Sequence, residues 1–424
     1  MNRINASDSF NNGLLLRSLF EKWPKDNLAQ IFSGGNNGDP GFFGHYYGLQ
    51  QKDRLLGNLF FKIKPDLAAT ASGINNSINK KTFRTSLQQL VKRTFIASGL
   101  YELIFKVRLS DRMIEWIEEF KPDVILAQGY NLTFTLLPIR IKQIFINCRV
   151  AFLTTDDWPS YLYSGMLGEN KIFSYIPRKQ VERATKKLMS IVDIPFAFGV
   201  PMANEYERRY KRRFITISHL DEPIRFKNAT AIRHCTSDVF SIVTMGNFNQ
   251  YRWPLLLDLN ESCKKLFMLG IHSRITVISS AIDSEALDKL AECKFISIIG
   301  DPGNNLIPGY LKGADVLFLP EGFDHDFVTA IRLSVSTKSH LFMFSQKPII
   351  VYAHKDTGVA SYAIGYKWAK VVTERSINEL TQSLLEIRNN PKLSSSLSLT
   401  AYQNALEMHH KRKIQKLFEE TLLS

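Results

Sequence analysis

The second half of the chain alternates short apolar runs with segments of helix length. Phe240-Ser241-Ile242-Val243-Thr244-Met245 ends at Gly246, and Ile275-Thr276-Val277-Ile278 follows. Phe295-Ile296-Ser297-Ile298-Ile299 ends at Gly300-Asp301, Val316-Leu317-Phe318-Leu319 ends at Pro320, and Ile349-Ile350-Val351-Tyr352 closes the series. These runs are rich in β-branched residues and nearly continuous in hydrophobicity. That is the pattern of parallel strands buried on both faces. Each spacer has room for one crossover helix, so this half predicts an open, doubly wound α/β sheet.

The first half follows the same grammar more loosely. Leu14 to Phe20 predicts a helix after the turn signal Asn11-Asn12-Gly13, and Leu28 to Phe32 predicts a strand. Leu103, Val107, Met113, Ile114, Ile117 and Phe120 recur at helical spacing. Lys121-Pro122-Asp123 then breaks the helix and opens the strand Val124-Ile125-Leu126-Ala127. Val150 to Thr155 predicts a strand ending at Asp156-Asp157-Trp158-Pro159, and Phe214 to Ser218 another ending at His219. The polar stretch from Lys64 to Arg84 reads as a surface excursion, and Leu397 to Leu423 as one long helix. Residues 1–220 and 238–396 therefore divide into two Rossmann-like domains, with 221–237 as linker and 397–424 as a helix that completes the first domain.

Composition adds one constraint. Lys and Arg number 54 against 40 Asp and Glu, a net charge of +14, which implies an anionic partner. Nucleic acid, an anionic membrane face and phosphate-bearing small molecules all qualify; no nucleic-acid motif accompanies the charge. No apolar run reaches the ~18–20 residues of a membrane span. Met1 to Asp8 lacks the apolar core of a secretory signal, so the expected compartment is the cytoplasm. Cys148, Cys235, Cys263 and Cys293 stand too far apart for a CxxC zinc or redox site and read as reduced thiols.

Ligands of open parallel sheets bind outside the carboxyl ends of the strands. The residues there are Gly13, Gly129, Asp156, Asp157, Gly246, Asn247, Gly300, Asp301, Glu321 and Lys338. Glycines at Gly13 and Gly246 would let backbone N–H groups approach an anion, although an ordinary turn is the better local reading of each; no Walker A or GxGxxG motif is present. Asp156-Asp157-Trp158 has the chemistry of a sugar site, with carboxylates for hydroxyls and an indole for a ring face; helix capping by one Asp is the alternative. Lys338, at a helix start after Thr337, could neutralise a diphosphate, or be a solvated surface lysine. Glu205 to Arg213 reads Glu-Tyr-Glu-Arg-Arg-Tyr-Lys-Arg-Arg, a footprint for anionic lipid heads or a solvated helix face.

These pieces, in this order, resemble the retaining GT4-like glycosyltransferases (glycosyl transferases group 1) of the GT-B fold, over nearly the whole chain. Lys121-Pro122-Asp123-Val124-Ile125-Leu126-Ala127-Gln128-Gly129 looks like the family's "xPDVIHAHG" strand, and Phe198 to His219 like its strand and helix before the linker. Phe240 to Gly246 is similar to the strand opening the donor domain. Gly313-Ala314-Asp315-Val316-Leu317-Phe318-Leu319-Pro320 matches "xxADVxxxP". Ile331-Arg332-Leu333-Ser334 through Thr337-Lys338 to Lys347-Pro348-Ile349-Ile350 resembles "IRLSxPTKxxEYxxxGKPIi". The sequence departs from the family at its glutamate pair, eight positions apart, which falls on Leu333 and Leu341. Gln346 replaces the glycine before Lys-Pro, and Arg252 is the nearest basic residue after Gly246. The family has a first strand before its glycine loop; Met1 to Ala6 is expected to supply a stub of it, or the chain starts late.

The resemblance implies a cytoplasmic glycosyltransferase that moves a sugar from a nucleotide-diphosphate donor to a saccharide or lipid-linked saccharide acceptor in cell-surface polysaccharide assembly. It implies a hexosyl-type, retaining enzyme with two domains facing across a cleft. Donor and phosphate contacts are expected from Gly13, Gly246, Asn247, Arg252, Asp301, Ser336, Thr337 and Lys338, and acceptor or sugar contacts from Gly129, Asp156, Asp157 and Trp158. Asp156, Asp157 and Lys338 are the expected catalytic residues. No metal and no resident cofactor are expected, because fixed cations and helix N-termini would carry the diphosphate charge. Peripheral contact with an anionic membrane is expected through Arg208, Arg209, Lys211, Arg212 and Arg213. Leu341 keeps two alternatives open: a degenerate binding or scaffolding protein, and a sugar-nucleotide epimerase.

Overall fold

The computed structural model describes residues 11–33, 42–55, 99–161, 171–248 and 251–424. Met1 to Ala6 and Lys64 to Arg84 lie outside the described residues. Contacts divide the chain into two compact units: 1–198 with 202–217 and 417–424, and 199–201 with 218–416.

In the first unit β1 (Ala29–Ser33) pairs with β2 (His45–Leu49). β3 (Val124–Ala127), β4 (Arg149–Thr154), β5 (Ile194–Phe198) and β6 (Ile215–Ile217) form a second sheet in that spatial order. All these pairings are parallel. Parallel neighbours need crossover helices, which cover both faces and leave the strands apolar throughout. β4 and β5 are accordingly buried along almost their whole length. The helical pattern from Leu103 to Phe120 is broken into two helices, Leu100–Ile104 and Asp111–Phe120. Ser110 starts the second by accepting from the Met113 N–H at 3.4 Å, and Val107 forms an antiparallel bridge with Arg54.

The second unit holds β7 (Phe240–Met245), β8 (Ser273–Ile278), β9 (Ile296–Ile299), β10 (Val316–Pro320), β11 (Ile349–Tyr352) and β12 (Lys370–Val372). Their order is β12-β11-β10-β7-β8-β9, all parallel. Alternate residues feed two cores. Ile242, Val277, Phe318 and Tyr352 pack on one face; Val243, Leu317, Leu319 and Val351 pack on the other. The order runs outward from β7 through β8 to β9 on one side and from β10 through β11 to β12 on the other. The reversal lies between β7 and β10, which is where such sheets open a crevice at their carboxyl ends.

The stretch 221–237 packs as part of this unit. Asp221 pairs with Arg225, Phe226 is 4% exposed in the core, and both Arg233 η nitrogens hold Asp315 at 2.7–3.0 Å. The tail forms two helices, Pro391–Met408 and Lys411–Leu423. The break at His409-His410 has a cause: the His409 carbonyl accepts from the Asp221 N–H and the Lys411 N–H donates to the Asp221 carbonyl, so this backbone is drawn into a bridge.

Candidate functional site

The reversal point of the second sheet gathers charge. β7 ends at Gly246, whose φ of +147° is strained for any residue with a Cβ. A methyl group placed there would meet the Lys338 side chain, with Cε at 3.4 Å and Nζ at 4.0 Å. The Lys338 stem therefore lies across Gly246. Lys338 is the N-cap residue of helix Ser339–Phe344. The turn before that helix is fixed at Ser336, whose carbonyl accepts from the Ser339 hydroxyl at 2.6 Å and N–H at 3.1 Å. Thr337 completes the turn. The next helix, Gly358–Tyr366, packs against the same loop: a Cβ on Gly358 would sit 2.4 Å from the Ser334 carbonyl oxygen.

The Lys338 ammonium has no hydrogen bond or ion pair among the described residues. Burial lowers its pKa to about 8; the nearby Arg252 charge acts in the same direction and Glu321 opposes it. Arg252 precedes helix Trp253–Met268 and gives Nε and Nη2 to the same Glu321 oxygen, at 2.8 and 2.6 Å. The Glu321 side chain, directly after β10, is 4% exposed. Phe327 carries the Arg252 guanidinium at 5.3 Å and stacks on Tyr251 at 4.6 Å, which holds the arginine in place. Gly246, Arg252, Glu321 and Lys338 thus converge on one point with one uncommitted cation, a chemistry suited to an anion.

Several predicted donor contacts are placed otherwise. The Gly246 N–H donates to the Ile278 carbonyl at 3.0 Å and the Phe248 N–H to Ala281, so neither is free to cradle a phosphate. Asn247 between them is exposed. Asp301 is exposed beyond the edge strand β9, where it caps a turn by accepting from the Gly303 N–H at 2.9 Å. Gly13 does not precede the helix: it lies inside its first turn, Asn11–Phe20, and is buried.

In the first unit Asp157 is not presented to a ligand. Both of its oxygens are held by Arg209, at 2.6 and 2.7 Å, and the Tyr206 hydroxyl donates to it at 3.3 Å. Asp157 is 2% exposed and anchors the β4 loop to helix Val200–Tyr210. Asp156 is half-buried beside the Thr155 hydroxyl at 3.4 Å. Trp158 meets Tyr130 edge to face at 5.4 Å. Burial raises the Tyr130 pKa and the Asp156 charge adds to the rise, which places these groups together. Gly129, φ +59°, makes the turn after β3; a Cβ there would approach Phe152 to 3.1 Å.

Sequence reasoning missed Gln128. It is 1% exposed, lies beside the Tyr130 hydroxyl, and neither side-chain amide atom makes a hydrogen bond of good geometry among the described residues. An unsatisfied buried polar group costs about 1–3 kcal/mol, so this amide is a ready contact for a polar ligand. Its signal was a polar residue directly after the apolar strand Val124–Ala127.

The basic segment is also partly spent. Arg208 and Arg209 both bind Glu205, whose pKa falls to about 2 through the Arg208 hydrogen bonds, against burial. Arg212 donates to the Met189 and Val192 carbonyls, which leaves Lys211 and Arg213 exposed.

No family model and no curated protein matches the sequence. Solved structures do match. The apo structure of OtsA aligns with a TM-score of 0.60 at 10% identity, covering 100% of this chain and 98% of that one. Sucrose-phosphate synthase from Thermosynechococcus elongatus gives 0.59 at 11%, with 98% and 93% covered. Anabaena HepE in complex with UDP and glucose gives 0.55 at 11%, with 99% and 97% covered. With two parallel-sheet units and these likenesses over full length, the chain has the GT-B fold.

Proposed function

We propose that this chain is a glycosyltransferase that takes a sugar from a nucleotide-diphosphate donor and gives it to a saccharide or lipid-linked saccharide. The observation that carries this reading is the uncommitted Lys338 ammonium beside Gly246 at the reversal point of the second sheet. Bond cleavage leaves negative charge on the departing diphosphate. Lys338 and Arg252 offset it from fixed positions, and preorganised charge of this kind is the main source of rate acceleration in such transfers. The reaction on this reading is retaining and independent of a metal or resident cofactor, and it serves cell-surface polysaccharide assembly in the cytoplasm. Anabaena HepE, of the same fold, has been solved with UDP and glucose, which supports the choice of donor class. Asp156, Trp158 and Gln128 are the groups of the first unit suited to an acceptor or to the transferred sugar.

A thermal-shift screen of nucleoside diphosphates and their sugars tests the reading. One base should stabilise the protein, and Lys338→Ala should reduce the shift. A flat response across the panel would remove the donor site.

Leu341 favours a second reading. This residue packs against the apolar core of the second unit and has no group to accept a hydroxyl hydrogen bond. A protein that binds the nucleotide but neither transfers nor hydrolyses the sugar would be a binding partner rather than an enzyme.

A further inference from the structure

We propose that Glu321 is the built-in counter-ion of the Arg252 and Lys338 cations, occupying the electrostatic place of a ligand diphosphate, and that Arg252 passes from Glu321 to the incoming anion. The inference rests on the phosphate site proposed above.

The geometry of the pair is the reason. Arg252 directs both of its hydrogen bonds to a single carboxylate oxygen, Oε2. Three other buried or half-buried pairs among the described residues are built differently. Arg209 grips Asp157 with one bond to each oxygen, and so do Arg375 on Asp258 and Arg233 on Asp315. Those pairs use the full fork of the guanidinium, the strong and specific arrangement. Among the described residues the Arg252–Glu321 pair leaves Nη1 and Oε1 without a hydrogen bond, so the arginine has a donor to offer a second anion before it releases the first.

Charge counting leads to the same place. Glu321 is 3% exposed, and a buried carboxylate requires a cation. Two cations, Arg252 and Lys338, share this one carboxylate. Lys338 senses Glu321 electrostatically without forming an ion pair with it. One positive charge is left over without ligand, and an arriving diphosphate finds two cations and one competing carboxylate. Glu321 therefore steadies the empty site and limits its affinity for anions.

Titration calorimetry with inorganic pyrophosphate tests this on the full chain. Glu321→Gln keeps the shape and removes the competing charge, so it should bind pyrophosphate about tenfold tighter than wild type, a factor worth ~1.4 kcal/mol. Glu321→Asp shortens the carboxylate and loosens the pair, so it should also bind tighter, by a smaller factor. The Asp variant carries the test if the Gln variant does not fold. Adding Arg252→Gln to Glu321→Gln should erase the gain. A gain that survives the added Arg252→Gln change overturns the transfer of Arg252. Unchanged or weaker binding by both Glu321 variants, with wild-type binding that Lys338→Ala weakens, overturns the counter-ion and leaves the phosphate site standing. No binding by wild type or any variant overturns both.

Discussion

Arg209 holds Asp157 by two parallel hydrogen bonds, 2.6 and 2.7 Å long, across 52 residues of sequence. One of the two adjacent carboxylates that the sequence offers as catalytic is thus a fastener between β4 and the helix that follows β5.

Asp157→Asn should therefore act on stability. Breaking a buried pair from one side leaves an uncompensated charge and costs about 3–5 kcal/mol. Chemical denaturation of the variant should show a loss of that order. A melting curve equal to wild type would return Asp157 to the list of ligand-facing groups.

Asp156→Asn should do the opposite. Asp156 is half-buried, and the Thr155 hydroxyl lies 3.4 Å from its Oδ2. The variant should melt within a degree or two of wild type and lose most of its sugar transfer. Full transfer activity would take Asp156 out of the mechanism.

Lys338→Ala should weaken binding of the nucleoside diphosphate by about 1.5–3 kcal/mol, the range for hydrogen bonds to charged groups. The pH dependence has a definite sign. The ammonium titrates near 8, so affinity should hold at pH 7 and fall as pH rises through that value. Bound anion favours the charged form, so the midpoint should move upward in the complex. Affinity that is level from pH 7 to 9 would show that Lys338 does not contact the diphosphate.

His219, His340 and His409 form a buried imidazole series in the second unit, with ring centroids 5.5 and 5.8 Å apart. Burial lowers His340 to about 3, helped by the Arg225 and Lys338 charges, and lowers His409 to about 3, helped by His340. His219 is lowered in the same direction, by burial first. The Tyr362 hydroxyl packs on the His409 Nε2 at 3.2 Å. A group whose folded pKa is depressed gives stability that is full above its unfolded value, near 6.5, and lost as pH falls toward the folded value. At pH 5 each imidazole that must stay neutral should cost roughly 2 kcal/mol. Urea midpoints at pH 7 and 5 would measure the loss, and His340→Phe should reduce it. Equal midpoints would mean that the series accepts protons while folded.

Vesicle sedimentation addresses the basic segment. With three of its five side chains engaged within the protein, Lys211 and Arg213 should contribute about 1 kcal/mol each near an anionic surface. Replacing both with Glu should abolish any salt-sensitive binding. Binding that persists in the variant would place the membrane contact elsewhere. Among the described residues no helix is long and apolar enough to cross a membrane.

The strands that could be read were those whose burial wrote itself into composition. β7 and β11 match the sequence reading to the residue, and nearly every position on them is buried. β2, β5 and β12 were missed. His45-Tyr46-Tyr47-Gly48-Leu49 mixes polar residues and glycine, Ile194-Pro195-Phe196-Ala197-Phe198 contains a proline, and Lys370-Val371-Val372 is too short to show a period. The site was legible to the same extent. Lys338 and Arg252 could be proposed because each sits beside a strand end. Their arrangement around Glu321 could not, because a partner 69 residues away leaves no local mark. The loss of Asp157 to Arg209 and of the Gly246 N–H to Ile278 was hidden for the same reason.

Phe418 is fully buried and meets the rings of Phe20 and Phe196 at 5.3 and 5.1 Å. Its position in the chain sets an order of assembly. Synthesis delivers the amino-terminal sheets first, but the last wedge of their core emerges only after the whole second unit has been made. The second unit, whose residues end at 416, can consolidate while the first still waits with an open seam. A chain released before residue 418 would thus spoil the half of the protein that was made first.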